Sequence, residues 1–319
     1  MSAVETGSRE PAGTAPFRPG AFVPGAFGPF APRGWTRPGR MSVMPSRLAA
    51  DLRLFRSELA LVFGRRRNLA ALVALAAVPV LIGVAVRWSD RANGDGGPAF
   101  LALITGNGLF VALTALTVSL PLFLPLVVSA IAADSIAGEA GAGTLRYLLT
   151  APVSRARLLT VKFAAIVVFT LAAVGVIAVV GIGLGVLLFG GGPATLLSGA
   201  TVSFGGALVR LGLVCLYLTF CLLALGAVGL FVSTLTEQPI GATIGVVSVA
   251  VASQILGAVP QLAVIQPYLL THYWLDFGEL LREPIAYSAL TPGLISAAVY
   301  IALFGSAAWA RFASKDITS

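Results

Sequence analysis

The chain has 319 residues, of which 57% are hydrophobic and only 11% are charged, and its mean hydropathy is +0.94. A water-soluble fold of this size could not keep so much apolar surface away from solvent, which excludes a soluble enzyme or binding domain. The formal net charge is +8, but no basic stripe with interleaved aromatic residues predicts a nucleic-acid partner.

Residues 1–44 are rich in Pro, Gly, Phe and Arg, a composition that predicts a disordered tail. The segment lacks the uninterrupted apolar stretch of a signal peptide. All three methionines of the chain lie here, so translation could start at Met1, Met41 or Met44. The alternative interpretation is a genuine cytoplasmic tail that contacts anionic lipid or a partner.

Residues 45–67 predict an amphipathic helix that lies in the membrane interface as an elbow before the first span. Apolar residues recur at spacings of four and three and form one stripe: Leu48, Leu52, Phe55, Leu59 and Val62. Glu58 lies off this stripe, and Arg65, Arg66 and Arg67 directly precede the next apolar run. The alternative is a helix that simply packs against the rest of the protein.

The segment 68–312 predicts an all-α integral membrane domain, because its six apolar runs can each cross a core about 30 Å thick. In chain order the runs cover about 69–86, 101–133, 163–189, 207–232, 240–259 and 292–310. Pro121 and Pro125 predict a kink in the second span. Glycines predict close helix approach in the third and fifth spans: Gly181, Gly183, Gly185, Gly241 and Gly245.

The distribution of Lys and Arg predicts the orientation of the spans. With the N-terminus inside, 17 of the 21 basic residues fall in inside segments and four in outside segments. Both termini, the C-terminal tail 313–319 and the segment 134–162 are therefore predicted to be cytoplasmic. The segment 260–290 is predicted to be external, and the protein is expected in the cell membrane.

No catalytic, cofactor or metal site is predicted. No Asp, Glu, Lys or His lies near the middle of a span, which argues against a carrier with a carboxylate relay. His272 has no obvious nucleophile beside it, and Cys215 and Cys221 are spaced to lie on different faces of one helix. Neither Lys162 nor Lys315 follows Gly, so the chain has no phosphate-binding loop for ATP.

The polar segment 134–162 between the second and third spans predicts a docking element for a partner. Thr144 can cap a short helix over 145–149, Pro152 ends that piece, and 155–162 predicts a second helix that leads into the third span. The alternative is an ordinary polar loop. The charged residues concentrated here are Asp134, Glu139, Arg146, Arg155, Arg157 and Lys162.

This segment resembles the corresponding segment of ABC-2 type permeases, the membrane subunits of ATP-binding-cassette transporters. The pattern is an acidic residue, Gly-Glu, Gly-Thr-Leu, Leu-Leu, Pro, Ser-Arg and a Lys at the next span. The matching residues are Asp134, Gly138, Glu139, Gly143, Thr144, Leu145, Leu148, Leu149, Pro152, Ser154, Arg155 and Lys162. Many members carry another charged residue after the Glu, where this chain has Ala140, Gly141 and Ala142.

The resemblance implies six spans, an elbow helix and cytoplasmic coupling helices that bind a separate ATPase. ATP and Mg would be held by that partner chain, so this chain would not be the enzyme. The resemblance also implies a homodimer or heterodimer of permeases that exports an unidentified substrate, with 260–290 capping the path. The predicted ATPase-coupling site consists of the matching residues given above, without Leu148 and Leu149.

Other classes of function stay open at this point. The first alternative is a membrane-embedded assembly or anchoring subunit that binds partners without moving a solute. An ion-coupled carrier would require repeats between the two halves, and none is convincing. A membrane enzyme would require paired catalytic groups, which the chain does not offer.

Overall fold

The structure, a computed structural model, describes residues 47–93, 107–143 and 154–314. The predicted N-terminal tail 1–44 and the C-terminal residues 315–319 lie outside the described residues. So do the predicted helix over 145–149 and the site residues Thr144, Leu145 and Pro152. The described residues all belong to one compact unit, Pro45–Ser319.

The described part of the chain is almost entirely helical. Its α-helices are α1 Arg47–Gly64, α2 Arg66–Asn93, α3 Leu109–Ser119, α4 Phe123–Gly141, α5 Arg155–Phe189, α6 Phe204–Leu235, α7 Pro239–Gly257 and α8 Tyr287–Ser314. A two-stranded antiparallel hairpin, β1 Ala194–Thr195 with β2 Thr201–Val202, joins α5 to α6. Three short 3₁₀ turns lie between α7 and α8, at Pro260–Leu262, Gln266–Tyr268 and Trp274–Leu281.

Six of these helices, α2 and α4 to α8, are long and apolar enough to cross a membrane. This agrees with the six predicted spans of a multi-pass, all-α membrane protein. Several helices are longer than predicted: α5 begins eight residues before its predicted apolar run, and α8 ends two residues into the predicted C-terminal tail.

The second predicted span is broken rather than merely kinked. It consists of α3 and α4, which are separated by a turn at 120–122, and α3 alone is too short to cross a bilayer. Pro121 has no N–H to continue the helix, and its carbonyl accepts a hydrogen bond from Gln254 Nε2 at 2.8 Å. Pro125 lies in the first turn of α4, where the backbone N–H has no helical partner, so the helix tolerates it.

The predicted helix over 155–162 is present and leads directly into the third span, as predicted. It forms the first two turns of α5, which runs without interruption to Phe189. The reason is local: no proline lies between Arg155 and Phe189, and Ser154 caps the start by accepting a hydrogen bond from the Arg157 N–H. In the same way, Asp134 and Glu139 lie in the last turns of α4 rather than in a loop.

The centre of the bundle is α6, the most buried of the six long helices. It packs against α4, α5 and α8, while α2, α7 and α8 lie at the periphery with most of their apolar surface exposed. An exposed apolar face at this length suits a helix that contacts lipid. The largest fully buried side chains include Phe169, Leu116, Leu124, Ile136, Ile166, Leu218 and Leu222.

Close backbone packing joins α3 to α5. Gly185 lies directly against the backbone of Gly108, and a Cβ added at Gly181 would be 2.6 Å from the Ala112 Cα. The predicted close approach in the third span is therefore confirmed at these two glycines, four residues apart. Gly183 and Gly245, in contrast, have no described atom within 4 Å of an added Cβ outside their own helix.

Candidate functional site

A buried ionic cluster lies where α1, α4 and α5 meet. Its centre is Lys162 on α5, which is 3% exposed. The Lys162 Nζ donates to Glu139 Oε1 of α4 at 2.6 Å and lies 3.5 Å from both carboxylate oxygens of Glu58 on α1. A buried ammonium is strongly unfavourable without partners, so the two carboxylates offset the cost of burying Lys162 in this position.

A second set of charges adjoins the first. Asp134, one turn before Glu139 on α4, forms ion pairs with Arg65 and with Arg67, the latter at 3.1 Å. Three acidic and three basic side chains, Glu58 and Lys162 included, therefore meet in one region and their formal charges cancel. We call these six residues the charge cluster: Glu58, Arg65, Arg67, Asp134, Glu139 and Lys162.

The turn between α1 and α2 is fixed by a buried amide. Asn68 Nδ2 donates to the Val62 carbonyl at 2.7 Å, and the Asn68 backbone N–H bonds to Arg65 O at 3.0 Å. Asn68, Asp134 and Lys162 line a cavity of about 30 Å³, which is large enough for one or two water molecules. The cluster is thus a compact polar joint and not a substrate-sized pocket.

The structure brings together three of the predicted site residues: Asp134, Glu139 and Lys162. Gly138 supports this arrangement, because a Cβ there would be 2.5 Å from Asp134 Oδ1. Gly143 ends α4 with a φ of 68°, a left-handed conformation that suits glycine at this position. Glu139 finds its partner 23 residues along the chain, not in the three-residue stretch where the resembled family carries a charge.

Sequence reasoning missed the contribution of α1 and the start of α2. Glu58 was predicted to lie off the apolar stripe of its helix, yet it is 5% exposed and faces Lys162, while Leu52 of the stripe is exposed. The three later residues of the stripe are half-buried, so the buried face of α1 is defined by an ionic contact as well as by apolar packing. The available signal was Glu58 itself, because an acidic side chain beside an apolar stripe is a possible partner for a buried cation.

Residues 81–318 match a family described as "Protein of unknown function (DUF2705)", which is 238 of the 319 residues. The chain belongs to the DUF2705 family. The match begins within α2 and includes Asp134, Glu139 and Lys162, whereas Glu58, Arg65 and Arg67 precede it. No curated protein matches the chain.

In this DUF2705 protein the first turns of α5 also hold two other helices. Arg157 forms an ion pair with Asp51 of α1. Arg155 donates through one guanidinium nitrogen to the carbonyls of Phe312 and Ala313, at 3.1 and 2.8 Å. These carbonyls lie at the C-terminus of α8, where the helix has unsatisfied acceptors and a partial negative charge that attract a cation. Arg155 was predicted to belong to a docking element; in the structure its side chain caps the C-terminus of α8.

The opposite end of this DUF2705 bundle contains a second buried cation. Arg210, near the start of α6, is 9% exposed and donates to the carbonyls of Leu280 and Arg282 at 2.8 and 2.7 Å. It also pairs with the carboxylate of Glu283. Because its guanidinium is bound to the segment between α7 and α8, Arg210 does not reach solvent along the helix, as snorkelling would require.

That segment, residues 259–286, is held to the bundle at further points. The Tyr217 hydroxyl of α6 donates to the Tyr273 carbonyl at 2.8 Å, and Trp274 and Phe277 are buried.

His272 is exposed, with its ring edge-on to that of Tyr273. Partial burial raises the pKa of Asp276, which His272 counteracts. Among the described residues, no group of three His, Cys, Asp or Glu could hold a metal ion.

Proposed function

We propose that this chain is the permease subunit of an ABC-2 type transporter and that it exports a substrate with ATP hydrolysed by a separate ATPase chain. The observation that carries the proposal is the charge cluster. Asp134, Glu139 and Lys162 are three of the residues through which the sequence resembles these permeases. Glu139 and Lys162 form a buried ion pair, and Asp134 lines the same small cavity. Such convergence is expected if the resembling residues form one working part.

The proposed working part is a rigid joint between helices. The buried Lys162–Glu139 contact would be difficult to separate, since each group would then be left charged and without its partner in a low-dielectric region. Through Glu58, α1 is bound to the same contact. A force applied to the residues that join α4 to α5 would therefore move α1, α4 and α5 as one unit.

The orientation follows from the positive-inside rule. With 17 of 21 basic residues on one side, the charge cluster and the α4–α5 connection face the cytoplasm, where an ATPase would bind. ATP and Mg would be held by that partner, and closure of its nucleotide sites would push on the connection. Rigid tilting of α4 and α5 would then open a path for the substrate.

The remaining predicted coupling residues have distinct parts in this scheme. Gly138 and Gly143 shape the end of α4, and Ser154 caps α5. Arg155 would extend the movement to α8 through the carbonyls of Phe312 and Ala313. The direct contacts to an ATPase would come from residues between Gly143 and Ser154, including Thr144, Leu145 and Pro152.

The test is to purify the tagged full chain from its native membrane and identify co-purifying proteins. We expect an ATPase with a Walker motif, and ATP hydrolysis by the reconstituted pair should increase with a transported compound. Glu58→Gln, Glu139→Gln and Lys162→Met in combination should leave the pair assembled but reduce stimulated hydrolysis. Glu279→Gln, at the other end of the bundle, is the matched control and should have no effect.

The assembly-subunit alternative predicts a different result from the same preparation. In that case a partner would co-purify, but no compound would stimulate hydrolysis and no solute would accumulate in vesicles. A chain that purifies without any ATPase, in a membrane where it is functional, would contradict both the coupling role and the transporter assignment.

A further inference from the structure

A groove of about 900 Å³ runs along one face of α8. Its floor is a stripe of residues at helical spacing, from Ser288 to Phe304, and its opposite wall is formed by Pro267, Tyr268 and Tyr273. Ser288 and Phe304 are 16 residues apart, which at a rise of about 1.5 Å per residue corresponds to about 24 Å along the helix. Cavities that bind small organic ligands have volumes of about 300–1,000 Å³, so the groove is large enough for a ligand.

The lining of the groove is apolar and uncharged. Among the described residues, no Asp, Glu, Lys, Arg or His contributes to it. Two of its hydroxyl groups already donate to backbone carbonyls: Tyr300 to Tyr268 O at 2.7 Å, and Thr291 to Tyr287 O at 3.0 Å. The rest of the lining consists of aromatic rings, aliphatic side chains and the hydroxyls of Tyr268, Tyr273, Ser288 and Ser296. Without a charged group, this surface favours hydrocarbon over a charged ligand.

The wall opposite α8 is fixed by hydrogen bonds on both sides of the groove. Tyr217 holds the Tyr273 carbonyl, and the hydroxyls of Ser253 and Thr271 are 2.9 Å apart. Gln266 Nε2 donates to the carbonyls of Gly257 and Val259, both at 3.1 Å. Because these bonds connect the wall to α6 and α7, the groove is a preformed site that a ligand need not order.

The position of the groove identifies its surroundings. It lies on α8, one of the six helices that can cross the membrane and the least buried of them. A stripe about 24 Å long extends over more than half of a hydrocarbon core about 30 Å thick. The groove is open on one side, and its length along α8 suits an acyl chain that lies parallel to the helix.

We propose that this groove binds one acyl chain of a membrane phospholipid, with the chain lying between α8 and the wall formed by Pro267, Tyr268 and Tyr273. The stacked rings of Tyr300 and Phe304, 6.0 Å apart, form part of the surface against which the chain packs. A peptide strand is a poor occupant, because the groove offers few free polar groups to satisfy a backbone in an apolar medium.

The experiment uses the full chain in phosphatidylcholine vesicles that contain a phosphatidylcholine with a photoreactive diazirine on one acyl chain. After irradiation, labelled positions are mapped by mass spectrometry. We expect Tyr268, Tyr273 and Tyr300 to be labelled about tenfold more than Ile244 and Val249, which are exposed on α7. Ordinary lipid around the protein would label both sets alike, and that result would overturn the proposal.

Filling the groove provides the second arm. Ser296→Trp and Val299→Trp each place an indole on its floor and should remove the excess label, whereas Val249→Trp on α7 should leave it unchanged. Persistence of the label in both filled variants would contradict the site. Efficient disulfide formation between copies carrying Ile295→Cys, with no groove label, would show that a second chain covers it. Since no ATPase is present, the result is independent of the proposed transport function.

Discussion

The two ends of the helical bundle stabilise their buried cations in different ways. At the Lys162 end, the cation is paired with carboxylates from two other helices, and both partners are buried. At the Arg210 end, the cation donates mainly to backbone carbonyls, and its one carboxylate partner, Glu283, is half exposed. The first arrangement joins helices to one another, while the second holds an irregular segment against a helix.

This difference suggests different tasks. The acceptors of Arg210 are mainly backbone carbonyls, which no side-chain substitution removes. The Arg210 contact therefore depends on the path of the backbone from 280 to 283. Side-chain carboxylates can be exchanged singly, so the Lys162 contact can be dissected by mutation. The following predictions use these properties, from the largest expected effect to the smallest.

Replacing Lys162 with Met should have the largest effect. The substitution would leave Glu58 and Glu139 buried without their shared cation, and breaking a buried ion pair in this way costs about 3–5 kcal/mol. We expect a large fall in the thermal unfolding temperature in detergent. The triple variant K162M, E58Q and E139Q should recover much of the loss, because it removes the charges together. Equal instability of the two variants would mean that packing, not charge, stabilises this end.

Replacing Gly185 with Leu tests the other end, where α3 and α5 are in backbone contact. Gly185 lies against the Gly108 backbone, so the added side chain must displace α3, and overpacking of this kind costs about 1–3 kcal/mol. Gly245→Leu on α7 is the matched control and should be nearly neutral, since an added Cβ there has no described neighbour within 4 Å. If both variants lost similar stability, the backbone contact at Gly185 would not be what makes this position sensitive.

Replacing Arg210 with Ala should loosen the segment 259–286 selectively. The carbonyls of Leu280 and Arg282 would lose their donor, at about 1–3 kcal/mol for a buried acceptor left unsatisfied. Glu283→Ala should cost no more than about 1 kcal/mol, because that carboxylate is half exposed. Hydrogen exchange of residues 274–286 is the measurement. A larger effect from Glu283 would show that the ion pair, not the carbonyl contacts, holds the segment.

The smallest effect should be a pH dependence at Asp276. Partial burial raises its pKa in the folded state above the unfolded value, so the folded state binds this proton more tightly. The segment should therefore be protected more strongly from hydrogen exchange as the pH falls from about 7 towards about 4, and less strongly as the pH rises. Asp276→Asn should remove this component of the pH dependence. A variant that retains the whole dependence would assign it to another group.

Much of the fold could be read from local features of the chain. Six apolar runs predicted six spans, and the structure has six helices that meet the same criterion. Pro121 predicted an irregularity in the second span and the structure breaks there, because a proline lacks the N–H that a continuous helix needs. In the segment predicted to contain two short helices, 155–162 is helical and leads into α5 as predicted, whereas 145–149 lies outside the described residues.

The candidate site was predictable only in part. Asp134, Glu139 and Lys162 were selected from their order along the chain, which does not say that they would line one cavity. Glu58, which lies off the predicted apolar stripe, is buried against Lys162, and Arg155 contacts the end of α8. These partners are more than 100 residues from the groups they bind, and that separation leaves no periodic pattern to detect.

Length and hydrophobicity along the chain were enough to establish a membrane bundle, because crossing a bilayer requires only that each helix satisfies its own backbone and carries an apolar surface. The pairing of buried charges and the groove on α8 were decided by tertiary packing. Helices distant in sequence must first lie side by side before an ammonium finds two carboxylates or two walls enclose a space, and that depends on the whole set of contacts rather than on any one segment.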